Sequence, residues 1–412
     1  MCDTRIRRFT IRRGMANLVF VWLMVVAAGC SGGGDTAASP PSTPGPSTSS
    51  AATNPAVATP SRIPRVNFPT DVFAGIDLDP VDADLAAALQ SALDEMAAGG
   101  GTTATVMTPS GTWSGASGAA DDVTELEAES QFGIASVTKT IVAAQVMQLV
   151  EMDELDLDAS VSGYLPQDFA FDTNGATIRQ LLSHRSGIPD YYSDAVEQEL
   201  SLEPSRVWTL PEVLDLVSPY RAPTDSSFGY ADPNFFLLGL AIEQVRGQPL
   251  AQVLRAGVLQ VEGADRLIYQ PAEAPTDPKA MPRGRPRAAL DEGKGYLPSI
   301  SVVSAAGAAA AMASDSPSLA RWWWAFCAGE IVSRDSLTEM ATFFDGEGGY
   351  GLGVFNPAHG YAKGIGRVGS SLGYSSWAGC LTDKEAVVVV LTTQSVDNQG
   401  AMARPLVDVI GR

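Results

Sequence analysis

The chain is 412 residues long, 45% hydrophobic, and carries a formal net charge of −20 from 27 Lys+Arg against 47 Asp+Glu. That length supports one large domain with an insertion, or two packed lobes, and the acidic balance argues against a nucleic-acid partner. Two histidines, His184 and His359, and four cysteines form no cluster of metal-ligand spacing, so no metal and no cofactor are expected.

The N-terminus reads as a targeting segment over residues 1–29. Arg5, Arg7, Arg8, Arg12 and Arg13 form a basic region ahead of an apolar run of 14 residues, Ala16 to Gly29. Such a run is short for a membrane span and suits a signal-peptide core. Met15 offers a later start that would omit the arginines. Small residues Ala27-Ala28-Gly29 immediately before Cys30 resemble a bacterial lipobox. By that resemblance Cys30 would receive lipid, become the mature N-terminus and anchor the protein outside the cytoplasm; a plain secretory signal with an incidental cysteine is the alternative. Residues 30–70, rich in Ser, Thr, Pro, Ala and Gly, read as a tether that cannot bury enough surface to order itself. A flexible chain of about 40 residues spans roughly 30–40 Å, so a folded domain over 71–412 would stand off the membrane. That domain holds 20 Lys+Arg and 45 Asp+Glu, a net charge of −25. The excess of arginine over lysine, 22 to 5, with abundant Ala and Gly, is consistent with a GC-rich genome.

In the folded region the apolar spacing over 81–98 predicts an amphipathic helix. Residues 103–107 and 111–115 then read as two strands around a turn at Pro109-Ser110-Gly111. Ser136-Val137-Thr138-Lys139 follows, the one place where a lysine stands three residues after a serine. Positions i and i+3 share a helix face, and Thr140 to Val150 is apolar nearly all round, as in a buried helix. A neutral Lys139 at that spacing could take the Ser136 proton for attack on an acyl carbon; an ordinary serine with a surface lysine is the other reading of the four residues alone. Residues 155–260 show helical patterns broken by Pro and Gly, and 265–296 read as an irregular surface insertion. Helices are expected over 305–313 and 318–328. In the second, Trp322-Trp323-Trp324 suggests packing with one or two rings exposed, ahead of a sugar platform. Strands over 364–368, 376–381 and 386–391 and a helix over 401–410 end the chain. Strands at both ends with helices between suggest a sheet assembled from both termini and an inserted helical lobe. Cys327 and Cys380 are expected as two separately buried thiols, with pairing in an oxidising location as the alternative.

Three further segments extend the serine–lysine pair. They are Leu181 to Asp190, containing Ser183-His184-Arg185-Ser186-Gly187; Phe228 to Gly239, containing Tyr230-Ala231-Asp232; and Gly366 to Ser376, containing Arg367-Val368-Gly369. In this order and spacing the set resembles the serine β-lactamase and penicillin-binding-protein-like hydrolases, in the branch of class C β-lactamases and D-Ala-D-Ala carboxypeptidases, over about residues 75–412. The resemblance implies an α+β fold of β-lactamase/transpeptidase type: an antiparallel sheet flanked by terminal helices, with an inserted helical lobe. It also implies a serine hydrolase that forms an acyl-serine intermediate on amides or esters of the cell envelope, such as D-Ala-D-Ala-type peptides, small esters or β-lactams. A degenerate homologue that binds or is acylated without efficient turnover is the alternative.

By the same resemblance Ser136 is the nucleophile, Lys139 its base or proton partner, and Tyr230 the group that carries protons to or from the leaving group. The backbone N–H groups of Ser136 and Ser370 would form the oxyanion hole, and Gly369 would let the strand lie close to substrate. His184 takes a scaffold role. Two positions depart from the family pattern: Asp232 stands where asparagine is usual, and Arg367 where lysine or histidine is usual. An ionised Asp232 near Lys139 would hold the lysine protonated, and Arg367 would offset this by pairing with Asp232. Nothing in the sequence specifies an oligomer.

Overall fold

Asp82 starts the first helix: its side chain accepts from the N–H groups of Asp84 and Leu85, and α1 (Ala83–Met96) follows. The computed structural model describes residues 67–97, 100–121, 124–217, 227–282, 295–344, 349–356 and 362–411. The targeting segment, Cys30 and the tether up to residue 66 lie outside the described residues. After α1 come β1 (Thr102–Thr108), β2 (Gly111–Ser117), β3 (Phe132–Gly133) and α2 (Thr138–Glu151). A helical lobe holds α3 (Ile178–Leu182), α4 (Asp194–Leu202), α5 (Leu210–Asp215), α6 (Pro233–Arg246) and α7 (Leu250–Ala256). Then follow β4 (Ile268–Tyr269), α8 (Ile300–Ala310), β5 (Met312–Ser314), α9 (Ser316–Ala328) and α10 (Arg334–Met340). The chain closes with β6 (Gly364–Ser371), β7 (Tyr374–Leu381), β8 (Ala386–Thr392) and α11 (Arg404–Ile410).

The main sheet is antiparallel in the order β2-β1-β8-β7-β6, so strands from both ends of the described region meet at the β1–β8 pair. Strand β8 shows why both faces are covered. Its run Ala386-Val387-Val388-Val389-Val390-Leu391 is fully buried, and successive side chains point to opposite faces. Val387, Val389 and Leu391 join the large core shared with the helical lobe. Val388 and Val390 join a second core, against Leu89 and Leu93 of α1 and Leu406 and Val407 of α11. Each buried valine contributes about 1.5–3 kcal/mol, so a polar residue on either face of this strand would split a core. This α+β arrangement is the expected one.

Five expectations need correction. The helix set at 305–313 begins earlier, because Ser299 caps it by accepting from Val302 N, and ends at Ala310. Met312–Ser314 instead forms β5, the centre of a small sheet β3-β5-β4. The segment 265–296 is not merely surface, since Leu267, Gln270 and Ala280 are buried. Trp322, Trp323 and Trp324 are all buried, with no ring left as a platform. Cys327 on α9 and Cys380 on β7 are joined as a disulfide, not separate thiols. Finally, order extends back into the stretch assigned to the tether: Phe68 and Thr70 are buried, and Phe68 N donates to Thr338 Oγ1.

Candidate active site

Ser136 sits in a single 3₁₀ turn, Ala135–Val137, that runs directly into α2. Ala135 ahead of it holds φ 49°, a left-handed conformation uncommon for a residue with a side chain. This sharp entry presents the half-buried Ser136 at the helix N-terminus. One turn on, Lys139 is fully enclosed, and its Nζ donates to Ser136 Oγ at 3.0 Å, Asp232 Oδ1 at 2.6 Å and the Ala309 carbonyl at 3.1 Å. An ammonium has three N–H groups, and here each has an acceptor.

The loop before α6 supplies Tyr230 and Asp232. Pro233 opens α6, and Phe235 to Leu238 bury it in the core, which fixes the loop's exit. The Tyr230 hydroxyl donates to Ser136 Oγ at 2.9 Å and accepts from Arg367 Nη2 at 2.7 Å. His184 holds the loop from beneath: its carbonyl accepts from Gly229 N, and its Nδ1 accepts from Ala231 N and Asn234 Nδ2. Its ring lies 4.2 Å, centroid to centroid, from that of Tyr230. Burial first, then the charges of Arg367 and Lys139, hold His184 well below its ordinary 6.5, so it is neutral.

Arg367 comes from β6, an edge strand of the sheet. It is 2% exposed, and its three nitrogens reach three oxygens: Nε to the Ser136 carbonyl at 3.0 Å, Nη1 to the Tyr350 hydroxyl and Nη2 to that of Tyr230. Burial works against its charge, but the Tyr230 and Tyr350 oxygens outweigh it and hold the proton more firmly still. The expected Asp232–Arg367 pair is therefore not the one formed. Asp232 pairs with Lys139, and Arg367 is held by two tyrosines and a carbonyl.

The edge position of β6 also orients its backbone. Gly366 exchanges both hydrogen bonds with Phe355 on the outer side of the strand. Alternate residues of a strand turn their N–H groups the same way, so Val368 and Ser370 also face outward. Gly369 permits close contact there: a Cβ on it would lie 2.4 Å from the Ile134 carbonyl and 2.9 Å from Ser136 N. Ser136 N and Ser370 N thus lie where β6 meets the serine turn, and neither has a hydrogen-bond partner among the described residues. Two such donors suit an oxygen that gains negative charge as the serine attacks a carbonyl.

The structure thus brings Ser136, Lys139, Tyr230, Asp232 and Arg367 into one network, with Gly369 and Ser370 beside it. Two members were not assigned from sequence. Asp190 lies within a quoted motif, and its Oδ1 accepts from Asp232 N at 3.1 Å. Burial, then the charge of Asp232, push it from its ordinary 3.8 up to about 6. Tyr350 stands in a glycine-rich stretch with no local pattern to mark it. Among the described residues no group of three or more His, Cys, Asp and Glu is placed to hold a metal.

A family model described as Beta-lactamase matches residues 87–411. A D-aminopeptidase of Gluconobacter oxydans is 26% identical over 234 residues, covering 54% of this chain and 42% of the relative. Esterase EstB of Burkholderia gladioli is 34% identical over 144 residues, covering 32% of this chain and 36% of the relative. The matches therefore span less than half the length of these curated relatives. The solved D-amino acid amidase of Ochrobactrum anthropi, complexed with L-phenylalanine amide, superposes with a TM-score of 0.68 at 23% identity, covering 80% of this chain and 98% of that one.

Proposed function

The chain belongs to the Beta-lactamase family, and on that premise we propose that it is a cell-envelope serine hydrolase forming an acyl-serine intermediate on amide or ester substrates. One observation carries this: Ser136 Oγ lies within hydrogen-bond reach of both Lys139 Nζ, at 3.0 Å, and Tyr230 OH, at 2.9 Å. With Lys139 in its neutral form, Ser136 Oγ attacks the acyl carbon, and its proton passes into the Lys139–Tyr230 pair. The carbonyl oxygen, now negative, takes the N–H groups of Ser136 and Ser370. Collapse breaks the bond to the amine or alkoxide, which leaves with a proton from the same pair. Water then adds to the acyl-serine by the reverse route and releases the acid. D-Ala-D-Ala-type peptides and small esters are the candidates that the motif set implies, with β-lactams as acylating relatives. Lipid on Cys30 would hold the domain at the outer face of the cell membrane, near such substrates.

A second reading has its own support. Lys139 Nζ has three acceptors, one of them the Asp232 carboxylate, so the protein itself occupies all of its hydrogen-bonding positions. A site acylated without efficient turnover fits that arrangement. Labelling with a fluorescent fluorophosphonate or penicillin, followed by turnover of a chromogenic ester, separates the two. Labelling at Ser136 with multiple turnovers supports the hydrolase; labelling without turnover supports the binder; absence of labelling sinks both.

A further inference from the structure

The charges around Ser136 divide into those the protein uses itself and those it leaves open. Lys139 and Arg367 are enclosed, 0% and 2% exposed, and both are directed at protein oxygens. Among the described residues no other cation is bonded into this network. Asp232 is spent on Lys139. Asp190 differs. Its carboxyl group is partly enclosed, although the residue as a whole is exposed, on the rim beside the Tyr230–Asp232 loop. Its Oδ1 is fixed by the N–H groups of Tyr191 and Asp232, at 2.9 and 3.1 Å, with Tyr192 N at 3.5 Å. Its Oδ2 has no partner among the described residues. The carboxylate is thus held rigidly by one oxygen and open at the other, linked to Ser136 through Asp232 and Lys139.

We infer that Asp190 selects the substrate: its open oxygen receives an ammonium group on the acyl part of the amide or ester, and the same site disfavours a carboxylate there. The inference rests on the hydrolase reading above. The groups that face Asp190 are Asp232, Lys139, Tyr191 and Tyr192, and two of its nearest ionisable neighbours bear on the case. Asp232 adds negative charge, which raises the proton affinity of Asp190 and equally favours any other cation beside it. Lys139 opposes this, and because it is paired with Asp232 the two charges partly cancel at Asp190. The chain as a whole, at −20, attracts cationic substrates and repels anionic ones.

The test compares three 4-nitroanilides of similar size at pH 7.5: alanine (ammonium, D and L separately), propionyl (neutral) and succinyl (carboxylate). The wild-type protein is first labelled at Ser136 with a fluorophosphonate. Absence of label overturns the hydrolase reading, and this inference with it. Given labelling, kcat/KM for one alanine anilide should exceed that for the propionyl anilide by at least about tenfold, with the succinyl anilide slowest. Asp190→Asn keeps an oxygen for the Tyr191 and Asp232 N–H groups, so it should fold. It should bring the alanine-to-propionyl ratio close to one, mainly through KM, while Asp190→Glu should retain part of the preference. A labelled wild type with no ammonium preference, or an Asp190→Asn variant that keeps it, overturns the role of Asp190 and leaves the hydrolase reading standing.

Discussion

Lys139 Nζ donates to Asp232 Oδ1 across 2.6 Å, and this ion pair sets the charge around Ser136. Asparagine at position 232 would keep an acceptor for the lysine while removing the negative charge. If the carboxylate restrains Lys139 as a proton acceptor, Asp232→Asn should turn over a chromogenic ester faster than wild type at a fixed pH; an unchanged or slower rate contradicts this. The pair also has a stability signature. Lys139→Ala leaves the Asp232 side chain, 14% exposed, as an unpaired carboxylate, which costs about 3–5 kcal/mol when an enclosed pair loses one member. Adding Asp232→Asn should recover part of that loss in urea unfolding. A double variant no more stable than Lys139→Ala would mean that the pairing contributes little.

Arg367 bridges two phenols, so the two should respond differently when cut. Tyr230→Phe removes the oxygen between Arg367 and Ser136 and should slow turnover by about 10²–10⁴. Tyr350→Phe leaves the catalytic groups in place but strips Arg367 Nη1 of its acceptor in an enclosed setting. An unsatisfied buried donor costs about 1–3 kcal/mol, so stability should fall and turnover should drop by less than in Tyr230→Phe. Wild-type behaviour of Tyr350→Phe in both assays would show that the clamp does not matter.

What could be read from the sequence was local or periodic. Ser136 and Lys139 fall three residues apart, so a helix alone brings them together. The alternating burial of Val387 to Leu391 marks a strand with two covered faces. The failures came where distant parts of the chain decide the outcome. Asp232 and Arg367 were paired by charge alone, yet Arg367 is turned away by Tyr350, which lies 118 positions from Asp232 in sequence and carries no local signal. Ala305 to Ala313 is apolar and rich in alanine, so it reads as helix throughout. Gly307 at φ 42° breaks that helix's geometry, and pairing with β3 and β4 draws Met312–Ser314 into a strand. The three adjacent tryptophans suggest one or two exposed rings, but Phe73 from the stretch before α1 covers Trp324 edge-on, with ring centroids 5.5 Å apart.

The disulfide between Cys327 and Cys380 ties α9 to the main sheet across 53 residues of sequence. Closing a loop of that length restricts the unfolded chain and contributes about 2–4 kcal/mol. Replacing both cysteines with serine, or adding reductant, should lower the urea midpoint accordingly. Alkylation of unfolded protein without reductant should leave both cysteines unmodified; two alkyl groups there would show that the thiols are free.

The proposed placement at the membrane rests on Cys30, which the small residues Ala27, Ala28 and Gly29 precede. In a bacterial host fed a labelled fatty acid, the full chain should incorporate label and partition with the membrane fraction. Cys30→Ala should lose the label and release the protein. A parent protein retained at the membrane with no lipid label would require a different anchor.

Asp190 gives the site a titration close to neutral pH. Burial, and next the negative charge of Asp232, raise it from 3.8 to about 6, so between those values the folded protein holds a proton that the unfolded chain releases. Stability from this group is therefore fully present below about 3.8 and is lost as pH rises through about 6. Asp190→Asn does not titrate, so the stability of wild type relative to this variant should fall between pH 4 and pH 7. The change should be modest, because the carboxyl group is only partly enclosed and solvent screens its charge. Selectivity runs the opposite way with pH: an ammonium substrate needs the ionised carboxylate, so the alanine-to-propionyl preference should grow as pH rises through about 6 and be weak at pH 5. The two measurements share one titrating group and must share one pH window. A preference that does not change between pH 5 and 7.5 in wild type, beside a stability difference that does, would place the titration at Asp190 but the recognition of substrate charge elsewhere.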